Sequence, residues 1–482
     1  MFAEGFKYRG LMDYFEKISA IPRATFEEEK IAQYICDFAN ERGLFCIKDD
    51  YNNVFVRLPA SVGREGEDAI LLQGHTDMVC EKNAGVEHDF SKDGIELYES
   101  NGFLRAKGTT LGADNGVAVA IMLYILDGAE GLLESHPTIE CLFTASEEKG
   151  LVGAGKFDYS VVTATKMINM DSADEGEIIV GCAGGQRSEL HFSAITDICT
   201  MPTLKISVKG LFGGHSGEDI NKGRANANKL MGRVLNEISK RYDIRLISLF
   251  GGSKDNAISR ECEAVIAVDE PEKVFELCAE LEKDIKNEII SDDSGFCLCV
   301  EYWKNENSVS FNLVDTKKII FFLATVADGT FKYCDGLSSV VEYSRNLGIV
   351  EADSKSASVV FVFMVRSAKD SQIKASSSEF DAYAAQLGFE HKIVSSYSGW
   401  DGSFDSPLCK RYADCYKEIF GRECRVNVIH AGLECGIIKK SCPKLDIISC
   451  GAMVLDLHSP DESLNIASFE RFFTVILYML TK

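Results

Sequence analysis

Two adjacent glutamates, Glu147 and Glu148, follow the apolar segment IECLFTA. Adjacent like charges repel, and a buried carboxylate is costly unless a cation or hydrogen bonds compensate for it. The pair is therefore either solvated or lies beside a cation. Neighbouring side chains diverge, so one glutamate can bind a metal ion while the other accepts a proton from a water molecule that the metal activates. We predict Glu147 as this base and Glu148 as the metal ligand.

Other polar side chains with metal-ligand chemistry follow candidate strands or precede a helix. His75 and Asp77 end the segment LLQGHTD and face the same way on an extended chain, so the aspartate can fix the imidazole tautomer. Asp114 lies in the glycine-rich segment GTTLGADNG, just before a helical pattern. Asp171 ends the strand pattern INMD, and His458 lies in DLHSPDE. Imidazoles combined with several carboxylates favour a borderline divalent cation such as zinc.

Each of these features has an ordinary structural explanation when it stands alone. A histidine and an aspartate two residues apart can be a polar strand end, and an aspartate before a helix is often an N-cap. A Glu-Glu pair is usually a solvated helix start. Only the combination of all these features favours a metal centre.

The elements that must position these residues form an α/β pattern. In the first 190 residues, short apolar strands alternate with helical patterns such as GVAVAIMLYIL. Thr25 and Glu28 form a capping-box signal before the helical run EEKIAQYICDFANERG. This alternation predicts a three-layer α/β domain with a mostly parallel sheet. Ligands of such sheets bind beyond the carboxyl ends of the strands, where the polar clusters occur.

Longer alternating strands and helices without polar clusters fill the middle of the chain. They predict a large α+β insertion over residues 192–400. The α/β pattern then returns, so we predict one α/β domain formed by residues 1–191 and 401–482. The strand and helix pattern runs through the insertion twice.

The composition of the 482-residue chain limits its partners. The formal net charge of −23 argues against nucleic acid or an anionic membrane surface, because both require a basic footprint. The most apolar run, residues 319–327, is less than half of the ~20 residues that span a bilayer. The segment MFAEGFKYRG lacks the apolar core of a signal peptide, so we expect a cytoplasmic protein. The 17 cysteines are odd in number and scattered, and are expected to be reduced thiols.

Five ordered motifs resemble the dinuclear zinc aminopeptidase and carboxypeptidase clan, most closely its aminoacyl-histidine dipeptidase family. They are GHTDMV, GTTLGADNG, SEEKGLVGA, MDSAD and HSPDE. The resemblance runs nearly end to end and includes GGHSGEDINKGRANA, NAISRE, SGWDGS and IHAGLECGI. It implies a zinc-peptidase-like catalytic domain that binds two zinc ions, for which manganese or cobalt can substitute. Asp114 would bridge the ions, with His75 and Asp171 completing one site and Glu148 and His458 the other.

The insertion resembles the family's lid domain, which here would be ferredoxin-like and doubled. His215 in GGHSG resembles the lid histidine that polarises the scissile carbonyl. Asn256, Arg260 and Arg366 resemble positions that anchor the substrate, and an arginine fork suits a free carboxylate. A doubled lid could let His215 serve the metals of its own chain. We therefore expect a complete active site in each chain, whether it is a monomer or a homodimer.

The predicted activity is the metal-dependent hydrolysis of dipeptides, including Xaa-His and related short peptides. In this scheme Glu147 shuttles the proton of the attacking water and Asp77 orients His75. One alternative is an aminoacylase-type amidohydrolase, because the metal ligands indicate the type of reaction but not which acyl group the substrate carries. Another is a non-catalytic metal-binding protein, against which the presence of Glu147 argues.

Overall fold

The chain forms two compact units in the computed structural model, which describes residues 5–303, 308–335 and 337–482. The discontinuous unit comprises Met1–Cys182, Trp400–Val428 and Leu433–Lys482, and the inserted unit comprises Ala183–Gly399 and Ile429–Gly432. The predicted domain boundaries at residues 192 and 400 stay a prediction. By its contacts, the inserted unit already begins at Ala183, because the strand Gly184–Ser193 pairs with other strands of that unit.

Helices and strands alternate along most of the chain. The first segment contains α1 (Arg9–Ser19), α2 (Glu29–Glu41), β1 (Phe45–Lys48), β2 (Val54–Leu58), β3 (Ile70–His75), β4 (Leu97–Ser100), β5 (Phe103–Ala106), α3 (Ala113–Leu126), β6 (Ile139–Thr144), α4 (Val152–Lys156), β7 (Lys166–Asn169) and β8 (Glu177–Cys182). The inserted unit contains β9 (Gly184–Ser193), β10 (Thr196–Cys199), β11 (Thr203–Lys209), β12 (Gly214–His215), α5 (Ala227–Ser239), β13 (Ile244–Gly251), β14 (Ala257–Ile258), β15 (Cys262–Val268), α6 (Pro271–Glu288), β16 (Cys297–Tyr302), β17 (Ser308–Phe311), α7 (Leu313–Thr325), β18 (Gly329–Cys334), β19 (Leu337–Asp353), β20 (Ser358–Ser367), α8 (Asp370–Leu387) and β21 (Glu390–Tyr397). The last segment contains α9 (Pro407–Phe420), β22 (Arg425–Ile429), α10 (Glu434–Ser441), β23 (Asp446–Ser449), β24 (Val454–Leu455), β25 (Ser463–Asn465) and α11 (Ile466–Thr481).

The discontinuous unit is built on a sheet whose described strands follow the order β1-β2-β6-β3-β7-β23-β8-β22. Parallel pairing joins the four central strands β6, β3, β7 and β23. Strands β1, β2 and β8 pair antiparallel. The α/β fold class is confirmed, but the parallel part of the sheet is smaller than predicted. One reason is that β1 and β2 form a hairpin, which needs no crossover helix between its strands.

Helix α3 anchors the core of this unit. It is apolar on all sides and buried along almost its whole length, packing against α1 and β3. The same hydrophobic core includes residues of α2, α9 and α11 and of the central strands. Within the described ranges, none of the helices has the length together with the apolar character that a bilayer crossing demands.

The inserted unit contains two βαββαβ patterns that share one sheet. The inner pattern runs β11-α5-β13-β15-α6-β16, and the outer pattern runs β9-α7-β19-β20-α8-β21. The sheet order β16-β11-β15-β13-β19-β20-β9-β21 gives each pattern the strand order 4-1-3-2 of a ferredoxin-like unit, with the two joined at β13 and β19. The predicted doubling is therefore confirmed. The inner copy lies between β9 and α7 of the outer copy, so the copies are nested along the chain.

Candidate active site

The predicted metal ligands of the discontinuous unit come from neighbouring strand ends. His75 is the last residue of β3, Asp171 follows the end of β7, and Glu147 and Glu148 follow the end of β6. Because β6, β3 and β7 are adjacent and parallel, their carboxyl ends lie side by side. Asp114 comes from the start of α3, where the backbone angles are not yet helical. The sheet thus brings distant motifs to one edge.

Two groups of ligand atoms share Asp114. In the first group, His75 Nε2 is 2.9 Å from Asp114 Oδ1 and 3.4 Å from Asp171 Oδ1. In the second group, His458 Nε2 is 3.1 Å from Asp114 Oδ2 and 3.2 Å from Glu148 Oε2. Within each group, the ligand atoms all lie within 4.8 Å of one another. Each oxygen of Asp114 faces one group, which is the arrangement expected of a bridging carboxylate.

The electrostatics of these groups favour bound positive charge. Burial alone would lower the pKa of His75, but the carboxylates of Asp171 and Asp114 hold that pKa well above its usual value. Hydrogen bonds to Asp114 and Glu148 raise the pKa of His458 to about 11. Both shifts favour the protonated form of the imidazole while it faces only these carboxylates. A divalent cation would replace their protons, because an imidazole must be neutral to bind a metal ion.

Glu148 supplies a test of whether the residues fit a metal ion. Its Oε2 faces His458, whereas its Oε1 is buried and has no hydrogen-bond partner among the described residues. A buried carboxylate oxygen without a compensating partner is costly. Carboxylate oxygens and imidazole nitrogens grouped in this way suit zinc and similar divalent cations. The residues present therefore fit bound divalent metal ions.

Asp77 lies behind His75 and is fully buried. His75 Nδ1 is 3.1 Å from the backbone oxygen of Asp77 and 3.4 Å from its Oδ1. The Asp77 carboxylate also accepts hydrogen bonds from the backbone N–H groups of Glu147 and Glu148, at 3.0 and 3.2 Å. Burial alone would raise the pKa of Asp77, but the hydrogen bonds from His75 and these N–H groups hold it below its usual value. One carboxylate therefore fixes both the imidazole and the glutamate pair.

Glu147 lies among the ligands and forms a close group with His75 and Glu148. Burial raises the pKa of Glu147 well above its usual value, and the negative charges of Asp171 and Glu148 add to this rise. A carboxylate with a raised pKa is a better proton acceptor than an ordinary one. The predicted division of roles, with Glu147 as base and Glu148 as ligand, stays a prediction.

The inserted unit holds a second group, here called the cationic cluster, which consists of His215, Arg366, Tyr397 and His430. Arg366 Nη2 is 3.5 Å from His215 Nε2, and Arg366 Nη1 donates a hydrogen bond to Tyr397 Oη at 3.2 Å. His430 Nε2 is 2.7 Å from Ser344 Oγ. Burial, followed by the positive charge of Arg366, lowers the pKa of His215 and lowers that of His430 to about 3. Both imidazoles are therefore neutral near pH 7.

Arg366 is a buried guanidinium that contacts no carboxylate in the part of the chain that the structure describes. Arg345, on the neighbouring strand, is equally buried but is paired with Glu379 at 2.7 Å. Removing a charge from water without a counter-charge is costly. Arg366 is therefore suited to bind an anion other than the carboxylates of the described residues.

The other two predicted anchors lie in the same unit. Asn256 precedes β14, which pairs with the β12 strand of His215, and its backbone oxygen accepts a hydrogen bond from Ser216 N at 2.8 Å. Arg260 is exposed, with its aliphatic part against Gly213. Among the described residues, Arg260 makes no hydrogen bond to His215 or Arg366. The structure thus groups Arg366 with His215 and leaves Arg260 apart.

Full-length relatives place the chain in a family. It is 35% identical over 476 residues to the cytosol non-specific dipeptidase of Escherichia coli (strain K12). The alignment covers 98% of this chain and 96% of that protein. The crystal structure of an aminoacylhistidine dipeptidase from Vibrio alginolyticus matches it with a TM-score of 0.89 at 34% identity, over 98% of this chain and 96% of that one. The chain belongs to the aminoacyl-histidine dipeptidase family. The family that the five motifs resemble is thereby confirmed.

Two family models match parts of the chain, and a more distant solved structure shares its fold. The family model described as Peptidase dimerisation domain matches residues 206–293, and the model described as Peptidase family M28 matches residues 53–206. The second match contains every predicted metal ligand except His458. An aminopeptidase from Bacillus cereus ATCC 10987, at 15% identity and a TM-score of 0.56, shares the fold.

In this member of the dipeptidase family, Glu28 supports the glutamate pair in a way that the sequence did not suggest. Its Oε1 accepts hydrogen bonds from Ser146 N and Ser146 Oγ, both at 2.8 Å. Ser146 has a φ of 53°, a left-handed conformation that is uncommon outside glycine. The predicted capping box of Thr25 and Glu28 is wrong, because α2 begins at Glu29 and the Glu28 carboxylate instead holds the turn before Glu147.

Glu434, the first residue of α10, is a second buried carboxylate that the motif analysis missed. Its Oε2 accepts hydrogen bonds from Gln73 Nε2 at 2.5 Å and from Thr144 Oγ1 at 2.6 Å. Gln73 Oε1 in turn accepts one from Asn169 Nδ2 at 2.6 Å. This network connects the ends of β3, β6 and β7, and burial raises the pKa of Glu434 to about 7. A glutamate inside the apolar segment AGLECGII was the available signal.

Proposed function

We propose that this chain is a metal-dependent dipeptidase that hydrolyses short peptides at a two-metal centre. The observation that carries the proposal is the pair of ligand groups sharing Asp114, with Glu147 beside them, in a chain of the dipeptidase family. His75, Asp114 and Asp171 would hold one ion, and Asp114, Glu148 and His458 the other. Zinc is the proposed metal, and manganese or cobalt is expected to substitute. Such ions supply Lewis acidity at a carbonyl oxygen and lower the pKa of water.

Glu147 is the proposed general base of the reaction. Its carboxylate accepts a proton from the attacking water and returns that proton to the nitrogen of the amine that leaves. Its burial among carboxylates, which raises its pKa, supports this role. Asp77 supports it further, because hydrogen bonds to its carboxylate orient both His75 and the backbone of the glutamate pair.

The cationic cluster is the proposed binding site for the free carboxylate of the substrate. Arg366 supports this role because it is buried and contacts no carboxylate among the described residues, in contrast to Arg345. A guanidinium can bind both oxygens of a carboxylate. Asn256 and Arg260 are proposed as weaker anchors. His215 is proposed to donate a hydrogen bond to the scissile carbonyl oxygen, where negative charge develops in the reaction.

The proposed substrates include dipeptides with histidine in the second position. The two relatives differ in this respect, since one is named for aminoacylhistidine and the other is called non-specific. A cytoplasmic location is proposed from the name of the Escherichia coli relative, the cytosol non-specific dipeptidase.

A dipeptide panel assayed by amine release tests the proposal. The panel contains Xaa-His dipeptides, dipeptides without histidine, tripeptides and N-acetyl amino acids, each with chelator and with zinc, manganese or cobalt restored. We expect dipeptide cleavage that needs metal. Cleavage of N-acetyl amino acids alone would favour an aminoacylase-type amidohydrolase. Inactivity of the metal-loaded protein on the whole panel would favour a non-catalytic metal-binding protein.

A mixing experiment tests the proposal that each chain holds a complete active site. A His215→Ala chain is mixed with a Glu147→Gln chain after joint unfolding and refolding. Complete sites within each chain predict that the mixture stays as inactive as its components. Recovery of activity would show that His215 serves a partner chain.

A further inference from the structure

Glu462 lies four residues after His458 and buries its carboxylate against the loop that carries Asp114. It is 2% exposed. Its Oε2 accepts hydrogen bonds from the backbone N–H groups of residues 111 and 112, at 2.8 and 2.9 Å. Its Oε1 accepts those of residues 113 and 114, at 2.8 and 3.2 Å. One carboxylate therefore receives four consecutive N–H groups, the last of which belongs to Asp114.

These four N–H groups precede the regular part of α3, so the helix cannot satisfy them itself. Their partial positive charges favour an anion at this position. The anion comes from a residue 348 positions away from Asp114, on the loop that also carries His458. Two ligands of the second metal group are thereby connected through a single side chain.

Arg23 fixes the same loop through its carbonyl groups. It is 2% exposed, and its Nη2 donates a hydrogen bond to the backbone oxygen of Gly112 at 2.6 Å. Its Nη1 donates to the backbone oxygens of Thr76 and Asp77, at 2.9 and 3.2 Å. Arg23 therefore joins the segment directly after His75 to the loop of residues 111–114.

We propose that Glu462 is a positioning residue that sets the Asp114 carboxylate between the two ligand groups, with Arg23 fixing the same loop relative to His75. The inference rests on the metal site of the proposed function. The segments that carry His75, Asp114 and His458 are far apart in sequence, and Glu462 and Arg23 make the hydrogen bonds that connect them. Metal binding then depends on Glu462 even though it is not a ligand.

The variant Glu462→Gln should separate positioning from ligation. An amide oxygen can still accept hydrogen bonds, but the amide nitrogen would face two N–H donors, so about half of the bonds are lost. Loss of a residue that orients a ligand typically lowers metal affinity by about 10- to 100-fold. Because Asp114 faces both groups, we expect both bound zinc ions to be weakened.

Glu140→Gln is the matched control in the same unit. Glu140 is also fully buried and accepts hydrogen bonds from the backbone N–H groups of Thr163 and Ala164, each at 3.1 Å; unlike Glu462 among the described residues, it also pairs with an arginine, Arg57, at 2.9 Å. It lies near the start of β6, at the opposite end of that strand from the glutamate pair. Glu140→Gln therefore shows how the loss of a buried carboxylate away from the proposed ligand loops changes the zinc affinity and the stability of this unit.

Zinc affinity of the full-length chain is measured by competition with a chromophoric chelator, together with the melting temperature of the metal-free protein. The expected result is a 10- to 100-fold loss of zinc affinity for Glu462→Gln and less than a threefold change for Glu140→Gln. Wild-type affinity in Glu462→Gln, or an equal loss in Glu140→Gln, would overturn the proposal.

A second variant, Glu462→Asp, covers the case in which Glu462→Gln does not fold. It keeps the charge but shortens the side chain, so weakened zinc binding by a folded protein supports the proposal and wild-type binding overturns it. Zinc affinity is independent of turnover. A wild-type protein that binds zinc tightly but cleaves no dipeptide would therefore refute the proposed function and leave this comparison intact.

Discussion

The two units of the chain bury opposite imbalances of charge. In the discontinuous unit, the carboxylates of Asp114, Asp171, Glu147 and Glu148 outnumber the imidazoles beside them. In the inserted unit, the Arg366 guanidinium lies with neutral imidazoles and contacts no carboxylate among the described residues. Burying charge without a counter-charge is costly. The first unit therefore favours a bound cation beside its carboxylates, and the second favours a bound anion beside Arg366.

Removing the metal should have the largest effect of the changes considered, and the effect should fall on the discontinuous unit. We expect a chelator to abolish dipeptide hydrolysis and to lower the melting temperature of the discontinuous unit. Metal at 100 times its dissociation constant stabilises the folded state by about 2.7 kcal/mol. Differential scanning calorimetry with and without restored zinc checks this. An unchanged melting profile would show that the carboxylates of this site need no cation.

The next largest effect is expected for Glu147→Gln. The variant should keep its bound zinc and its fold, because the proposed ligands are other residues, and should lose activity by about a hundredfold or more. Zinc content and steady-state kinetics are measured on the same sample. Glu148→Gln serves as the comparison and should lose zinc as well. Equal loss of zinc from both variants would contradict the division of roles within the pair.

The variant Arg366→Gln tests whether Arg366 binds the free carboxylate of the substrate. A charge-assisted hydrogen bond is worth about 1.5–3 kcal/mol, so the preference for a dipeptide over its C-terminal amide should fall by about 10- to 100-fold. Arg345→Gln is the matched control, since Arg345 is as buried but is already paired with Glu379. It should lower stability and leave the preference unchanged. Equal cleavage of dipeptide and amide by the wild type would remove this anchor.

His430 should give the smallest effect, seen only in the pH dependence of stability. Burial lowers its pKa to about 3 in the folded chain, whereas an unfolded histidine has a pKa of about 6.5. Between these values the unfolded state binds a proton that the folded state does not, so stability falls as the pH falls. The loss approaches about 1.4 kcal/mol per pH unit. Denaturant unfolding at pH 7 and pH 5 should show a smaller decrease for His430→Gln than for the wild type. Equal decreases would contradict this assignment.

The clustering of the proposed metal ligands could be predicted from sequence because these residues end strong, short patterns. His75 ends one apolar strand and Asp171 follows another. The carboxyl ends of neighbouring parallel strands lie at the same edge of a sheet, so these residues are expected to lie close together. The residues that hold the ligands were harder to predict. Glu28 matched a helix-capping signal, yet besides a local hydrogen bond from Phe26 N its Oε1 accepts two from Ser146, 118 positions away. Such contacts depend on how loops meet in space, and local spacing carries no information about them.

In the fold, too, features set by local patterns were predicted and features set by long-range pairing were not. Apolar α3 and the strands β3, β6 and β7 were predicted from hydrophobic patterns, because burial on all sides leaves a continuous apolar run. The antiparallel flanks of the sheet were not predicted, since a single strand pattern does not reveal the direction of its partner. The inserted unit was recognised as doubled, but its nesting depends on β9 pairing with β20, between residues 165–183 positions apart in the chain.

The position of His458 has a consequence for how the molecule is made. Asp114 and His458 are 344 positions apart, with the inserted unit between them. At synthesis rates of about 5–20 residues per second, the ribosome needs about 20–70 seconds to pass from one to the other. Once residue 171 has been added, a growing chain contains His75, Asp114 and Asp171 but still lacks the histidine of the second group. A chain with this order of segments can therefore assemble the proposed second metal site only after the ribosome has synthesised the whole inserted unit.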